Sequence, residues 1–192
     1  MKFCVLRKRY VFVFGLVSIV IGHAAQAEVL AFNIEPIVGY ERVQKLAPAA
    51  HTRDRLFYGA RATVGVPLIA GEVEYIRGTD TETIAAQDLS LKDTDDRVKL
   101  GLRSSLRIST LLSLQLRGGG QAKRNTHEET QAGVTTKTIG QIVYKPYAGL
   151  SLSARLSSKI ELSGGIVTVF NGFPNMSKNE YQTSLGFRVS FP

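Results

Sequence analysis

A period of two runs down most of this chain and decides what it can fold into. From Tyr181 every second residue is Thr183, Leu185, Phe187, Val189 and Phe191, and between them lie Gln182, Ser184, Gly186, Arg188 and Ser190. A helix cannot sort residues this way, because its side chains return to a face after three or four positions and not after two. The segment Asp96–Ile108 repeats the pattern. Val98, Leu100, Leu102, Leu106 and Ile108 share one face, interrupted by Ser104, while Arg97, Lys99, Gly101, Arg103, Ser105 and Arg107 share the other. Further strands read as Phe32–Gln44, Leu56–Val66, Ile69–Gly78, Leu111–Gln121, Ile142–Leu156 and Lys159–Phe170. That makes eight strands and an all-β chain.

The connections fall into two kinds. Pro67-Leu68, Ser109-Thr110 and Ser157-Ser158 read as tight turns, whereas Lys45–Asp54, Thr79–Asp95, Ala122–Gln141 and Asn171–Asn179 read as long polar loops. Short and long connections alternate, which places every tight turn at one end of an antiparallel, up-and-down arrangement and every long loop at the other.

Residues 1–27 stand apart from this rhythm. Lys2, Arg7, Lys8 and Arg9 form a basic head, an apolar run follows from Tyr10 to Ile21, and small residues end in Ala25-Gln26-Ala27. This is the layout of a secretory signal peptide. The apolar run is far shorter than the roughly 20 helical residues that cross a bilayer. The domain expectation is therefore a leader over 1–27 and one domain over 28–192. Removing the leader takes four of the 24 basic residues and none of the 16 acidic ones, leaving a net charge of +4. It also removes Cys4, the single cysteine, so an exported domain would be held without disulfides.

Beyond residue 27 no apolar stretch has helical spanning length, so entry into a membrane requires strands closed into a barrel. Alternation alone does not say which face turns inward. A lipocalin-like soluble barrel alternates too, with its apolar face around a pocket. Three features favour the opposite arrangement, with lipid outside. The polar face is rich in small residues, among them Gly39, Gly59, Gly101, Gly149, Gly165 and Gly186, which leave room for long charged side chains in a narrow interior. That face also carries a nearly balanced charge set. Glu35, Glu41, Glu72, Glu74 and Glu161 stand against Arg61, Lys99, Arg103, Arg107, Arg117, Arg155 and Arg188, an interior network able to pair across a barrel. Finally, the apolar face places Tyr40, Tyr58, Tyr75, Tyr144, Phe170, Tyr181 and Phe191 near strand ends, as interfacial girdles do. The expected fold is an eight-stranded antiparallel up-and-down transmembrane β-barrel.

The last strand carries a resemblance. Tyr181, Leu185, Phe187, Val189 and Phe191 in strict alternation look like the C-terminal assembly signal of outer-membrane proteins, which is read by the barrel assembly machinery. That signal ends on the aromatic residue, whereas here Pro192 follows Phe191. With the leader and eight strands, the chain resembles the OmpA/OmpX type of small barrel over essentially its mature length. The resemblance implies an outer-membrane location and a monomer in contact with outer-membrane lipid. It also implies a structural or surface-interaction role in adhesion or the cell envelope, with an extracellular ligand met through the loops. No peptidoglycan-binding domain is expected after the barrel.

Two other functions are open. A lipid-modifying outer-membrane enzyme needs a nucleophile, a base and an orienting group in reach of one another. Outside the leader only His51 and His127 are available, both in expected loops, and no serine has a nucleophile motif around it. We expect no catalytic residues. The second alternative is the soluble periplasmic lipocalin-like binder. Asp93, Asp95 and Asp96 offer oxygen ligands for Ca²⁺, but the glycine and terminal glutamate of an EF loop are missing, so a solvated acidic loop is the expectation. No metal site or cofactor is expected. Basic residues alternate along strands instead of clustering, which leaves no footprint for nucleic acid.

Overall fold

A computed structural model describes residues 30–45, 51–66, 68–84, 88–171 and 179–191. The signal-peptide expectation for 1–27 lies outside the described residues, as do Pro67 and residues 172–178.

Nine antiparallel strands make up the described chain: β1 Ala31–Lys45, β2 His51–Val66, β3 Ile69–Ile84, β4 Leu89–Arg107, β5 Leu112–Gln131, β6 Val134–Ile139, β7 Val143–Arg155, β8 Ile160–Val169 and β9 Glu180–Phe191. Eight of them close a ring. β1 to β5 pair in order, β5 pairs with β7, β7 with β8, β8 with β9, and β9 returns to β1 through Phe32↔Phe191 and Val38↔Leu185. Closure leaves no unpaired edge within the ring, the condition a strand structure must meet in lipid.

The ring is apolar outside and charged inside. Leu56, Tyr58, Leu100, Leu102, Leu150, Ile166 and Leu185 are exposed on the outer face, while Glu35, Glu74, Arg97, Lys99 and Gln182 are each at most 2% exposed within. This polarity is the reverse of a soluble barrel and removes the lipocalin-like arrangement, whose apolar face would line a pocket. Tyr40, Tyr58, Tyr75, Tyr144 and Tyr181 ring the outer face toward the long-hairpin end, and Phe32 and Phe191 pack with centroids 6.2 Å apart toward the other. Phe170 follows the end of β8 and is only half-buried.

At the short-turn end, hydroxyl groups hold the connections. Ser109 Oγ accepts from the amides of Leu111 and Leu112, and Ser157 Oγ accepts from that of Lys159. Val66 pairs directly with Ile69 across the β2–β3 turn.

The other end corrects the sequence reading. Thr79–Asp95 and Ala122–Gln141 are not loops. β3 and β4 remain paired from Thr79↔Thr94 out to Ile84↔Leu89, and β4 and β5 from Val98↔Ala122 out to Leu89↔Gln131. A ninth strand, β6, folds back on β5 from Gln131↔Val134 to Thr126↔Ile139. Likewise β1 runs to Lys45 and β2 begins at His51, so the ends of the expected loop Lys45–Asp54 are strand, and residues 46–50 lie outside the described residues. The turn between β5 and β6 is Ala132-Gly133, with φ of 49° and 79°. Two consecutive positive φ values are what a two-residue hairpin of the I′ type demands. The alternation fades here because toward their tips both faces of these segments meet water, so nothing sorts apolar from polar residues. The threonines at 79, 81, 83, 126, 130, 135, 136 and 138 are the surviving strand signal.

Candidate functional site

Strand parity puts the charged residues inside, and closure brings strands far apart in sequence face to face. The result is three tiers. Nearest the long hairpins, Glu41 of β1 accepts from Arg55 Nε at 2.8 Å and from Arg97 Nη2 at 2.6 Å. Asp95 sits beside it, bound by Arg55, by Arg97 at 2.9 Å, by Lys123 at 3.1 Å and by Asn125 Nδ2 at 2.8 Å. Lys145 donates to Glu180 at 3.2 Å at the rim of the same tier.

In the middle, Glu74 is the hub. It takes Arg61 Nε at 2.7 Å, Lys99 Nζ at 2.7 Å and Arg117 Nη2 at 2.6 Å. Arg117 Nε also reaches both oxygens of Glu72 at 2.9 Å, and Tyr147 donates its hydroxyl to Glu72 at 3.3 Å. The ring of Tyr147 lies under Lys99 and Arg117, with the cations 5.7 and 5.9 Å from its centroid. It also covers Gly101, where a Cβ would strike the Tyr147 hydroxyl and the Gly118 carbonyl. Phe57 covers Gly39 in the same way. Aromatic side chains laid over glycines fill the narrow interior where strands bend.

Nearest the short turns, Glu35 accepts from Ser163 and meets Arg61 at 3.1 Å, Arg103 at 3.5 Å and Arg188 at 3.5 Å. Arg188 Nη1 reaches Glu161 at 2.7 Å, and Arg155 Nε approaches it at 3.5 Å.

Of the twelve interior charges named from sequence, nine are at most 7% exposed: Glu35, Glu41, Arg61, Glu72, Glu74, Lys99, Arg103, Arg117 and Arg188. Glu161, Arg155 and Arg107 lie at the short-turn mouth, with Arg107 exposed. The sequence reading left out Arg55, Asp95, Arg97, Lys123, Gln115, Gln121 and Gln182. Parity puts Arg97 and Gln182 on the polar face with Lys99 and Arg188, without naming them in the network. It also missed two small apolar clusters inside the barrel, Ile37–Phe57–Ile76 and Tyr147–Val167–Val169.

The acidic segment separates. Asp95 points into the barrel, Asp96 accepts from the Tyr75 hydroxyl at 2.7 Å on the outer face, and Asp93 meets His127 Nδ1 at 2.7 Å. Three carboxylates with three different partners do not form one Ca²⁺ cage, and no metal-binding group of three appears among the described residues.

Beyond the tyrosine girdle, β3, β4, β5 and β6 continue as a four-stranded sheet. Its far part, from Arg124 to Gln131 on β5, extends on the order of 25 Å at about 3.4 Å per residue. One face continues the barrel interior. Asp80, Asp93, His127 and Thr138 stand in register across it. The other face bears the row Thr81, Lys92, Glu128 and Lys137, where Glu128 meets Lys92 at 3.5 Å and Lys137 at 3.0 Å. Those two ammonium groups, Lys137 foremost, hold the Glu128 carboxyl below its ordinary range. Every residue of β6 is exposed. Side chains at His51–Arg53 lie outside the described residues, so the second histidine is not placed.

No protein-family model matches the sequence, and no curated protein is similar to it. Solved structures are similar in fold. Neisserial surface protein A superposes with a TM-score of 0.55 at 13% identity, covering 84% of this chain and 97% of that one. Ail, the attachment invasion locus protein of Yersinia pestis, gives 0.57 at 8% identity, covering 85% and 99%. The N-terminal barrel of Pseudomonas aeruginosa OprF gives 0.50 at 10% identity, covering 83% and 97%. With its closed eight-strand ring and its lipid-facing polarity, the chain has the fold of the small outer-membrane β-barrels of the OmpA/OmpX type.

Proposed function

We propose that this chain is an outer-membrane surface protein whose barrel is a plugged anchor and whose projecting β3–β6 sheet meets an extracellular partner. The observation that carries this reading is the sheet itself. Four strands are extended well past the apolar band, where lipid gives them no reason to exist, and they present paired charges and threonines to water. Rigid scaffolds bearing exposed variable segments are where binding surfaces concentrate. A protein of similar fold, Ail, is named the attachment invasion locus protein and has a structure in complex with a heparin analogue, sucrose octasulfate.

The middle tier supports reading the barrel as plugged. Glu72, Glu74, Arg61, Lys99 and Arg117 span the interior from β2 to β5, each at most 5% exposed, and an ion crossing the barrel would have to part them. Breaking a buried pair costs several kcal/mol, which opposes steady conduction. Outward display of Tyr181, Leu185, Phe187, Val189 and Phe191 along β9 fits their role as the assembly signal. The reading is of a monomer without catalysis. His127 is oriented by Asp93, but its other cross-strand neighbour is Thr138, and no serine or cysteine stands in that row.

The test replaces residues 126–139 by a tight turn. The shortened protein should still shift its gel mobility on heating, as a closed barrel does, and should form no steady channel in a planar bilayer. Cells displaying it should lose attachment to epithelial cells or extracellular matrix that the intact protein confers. Undiminished attachment would remove the sheet from the function. A His127→Ala variant that altered the lipopolysaccharide acyl pattern would bring back the enzymatic reading.

A further inference from the structure

At the short-turn end, opposite the projecting sheet, the interior charges stop balancing. A cavity of about 180 Å³ opens there, with Arg103, Arg107, Arg155 and Arg188 on its wall and Glu161 as the one acid among them. Glu35 lies behind the wall, but it is shared with Arg61 as well as with Arg103 and Arg188, both at 3.5 Å. Counting both glutamates, four arginines of this tier face two carboxylates.

The hydrogen-bond inventory points the same way. Arg103 is 4% exposed and Arg188 is 7% exposed. Arg103 Nη2 and Arg188 Nε are buried and have no partner among the described residues. Guanidinium donors withdrawn from water without an acceptor are costly, and such orphans in a native interior point to a missing partner. Gln115, fully buried on the same wall, donates Nε2 to Ser153 at 2.8 Å, while its Oε1 accepts nothing. The cavity wall therefore carries four guanidinium groups, and two of them keep spare donors just behind its surface. Arg107 is exposed at its mouth, which leaves it open to solvent.

We infer that this cavity binds a phosphate-type oxyanion. A phosphate group supplies acceptor oxygens for the planar guanidinium forks, and the fork geometry of arginine favours tetrahedral oxyanions over halides. The two sources of such a group at this end of the barrel are free phosphate and the headgroup of a phospholipid in the adjoining leaflet. The site itself does not depend on the role proposed for the outer sheet.

The probe is inorganic phosphate, titrated by calorimetry into the folded barrel in a non-ionic detergent at constant ionic strength. Saturable binding is expected. Arg107→Gln, which has no ion-pair partner to lose among the described residues, should weaken it about threefold, as a partly solvated charged contact does. Arg103→Gln should weaken it about tenfold or more. Because Arg103 also meets Glu35, that variant is first checked for heat-modifiable mobility. If it fails to fold, Arg107→Gln and Arg155→Gln carry the test. Binding that does not saturate, or that both mouth variants leave unchanged, would overturn the inference. Repeating the titration in nanodiscs containing phosphatidylglycerol separates the sources. Loss of phosphate binding there identifies the headgroup as occupant, and unchanged binding identifies free phosphate.

Discussion

Glu74 and Glu128 hold the same position in two different surroundings. Each lies between cations from neighbouring strands: Glu74 between Arg61 and Lys99, Glu128 between Lys92 and Lys137. Glu74 is 1% exposed inside the ring, whereas Glu128 stands on the projecting sheet beside lysines about half exposed. The pairing chemistry is nearly identical and the energetic meaning is not. Inside the barrel each charge has been stripped of water and depends on its partners. On the sheet, water screens and substitutes for them. The barrel is thus rigid because its charges have no alternative. The sheet holds its shape through backbone pairing, and its surface is free to be given over to recognition.

The strongest way to break this contrast is Glu74→Ala. It leaves Arg61, Lys99 and Arg117 facing one another around an empty hub, and should cost about 3–5 kcal/mol in unfolding free energy measured in lipid vesicles. A loss below about 1 kcal/mol would mean that water reaches the middle tier. Leu102→Arg tests the other side of the same wall. Leu102 is 63% exposed on the outer face, in the middle of the apolar band, and a cation there should cost about 2–4 kcal/mol in a bilayer.

The two remaining effects belong to the sheet and should be small. Ala132→Asn places a residue tolerant of left-handed backbone at φ 49°. It should slow amide exchange at the β5–β6 tip by an amount worth about 0.5 kcal/mol, without moving the barrel's unfolding midpoint. Glu128→Ala should leave that midpoint unchanged as well. Its carboxyl is depressed from the ordinary value of 4.5 by Lys137 and Lys92. A depressed carboxylate contributes in full above its unfolded value and loses that contribution as pH falls through its folded one. Protection of the β6 amides, taken relative to their intrinsic exchange rates at each pH, should therefore fall only below about pH 4.5 in the parent protein, and this acid dependence should vanish in the variant.

Legibility in the sequence followed the solvent. Along β4, Val98, Leu100, Leu102 and Leu106 alternate with Lys99, Gly101, Arg103 and Ser105 because lipid and a narrow interior impose opposite demands on successive residues. That alternation could be read directly. Nine residues earlier the same strand runs Leu89-Ser90-Leu91-Lys92, with water on both sides, and its leucines fall on the parity that carries charge further along, so the phase that marks the lipid face is lost although the strand is not. For the same reason β6, with Val134-Thr135-Thr136-Lys137-Thr138-Ile139, read as loop. Ala132-Gly133 was a weak turn signal beside the Asn-Gly or Asp-Gly pairs that mark such hairpins.

The charged interior divides along a similar line. Parity within a strand assigned Glu35, Glu74, Lys99, Arg117 and the others to the inside, since that is a local property with a period of two. It did not say that Arg97 would meet Glu41, 56 residues away, or that Arg103 and Arg188 would share Glu35 and keep donors to spare. The sequence by itself determined that the chain must be strands, that one face of each must be apolar, and that the other must carry charge. Only the tertiary structure decided which charges meet, how far the strands run beyond the lipid, and where the cations are left in excess. Pairing across a closed ring depends on register and on the angle through which each strand turns around the axis, and neither is written in the spacing of residues along one strand.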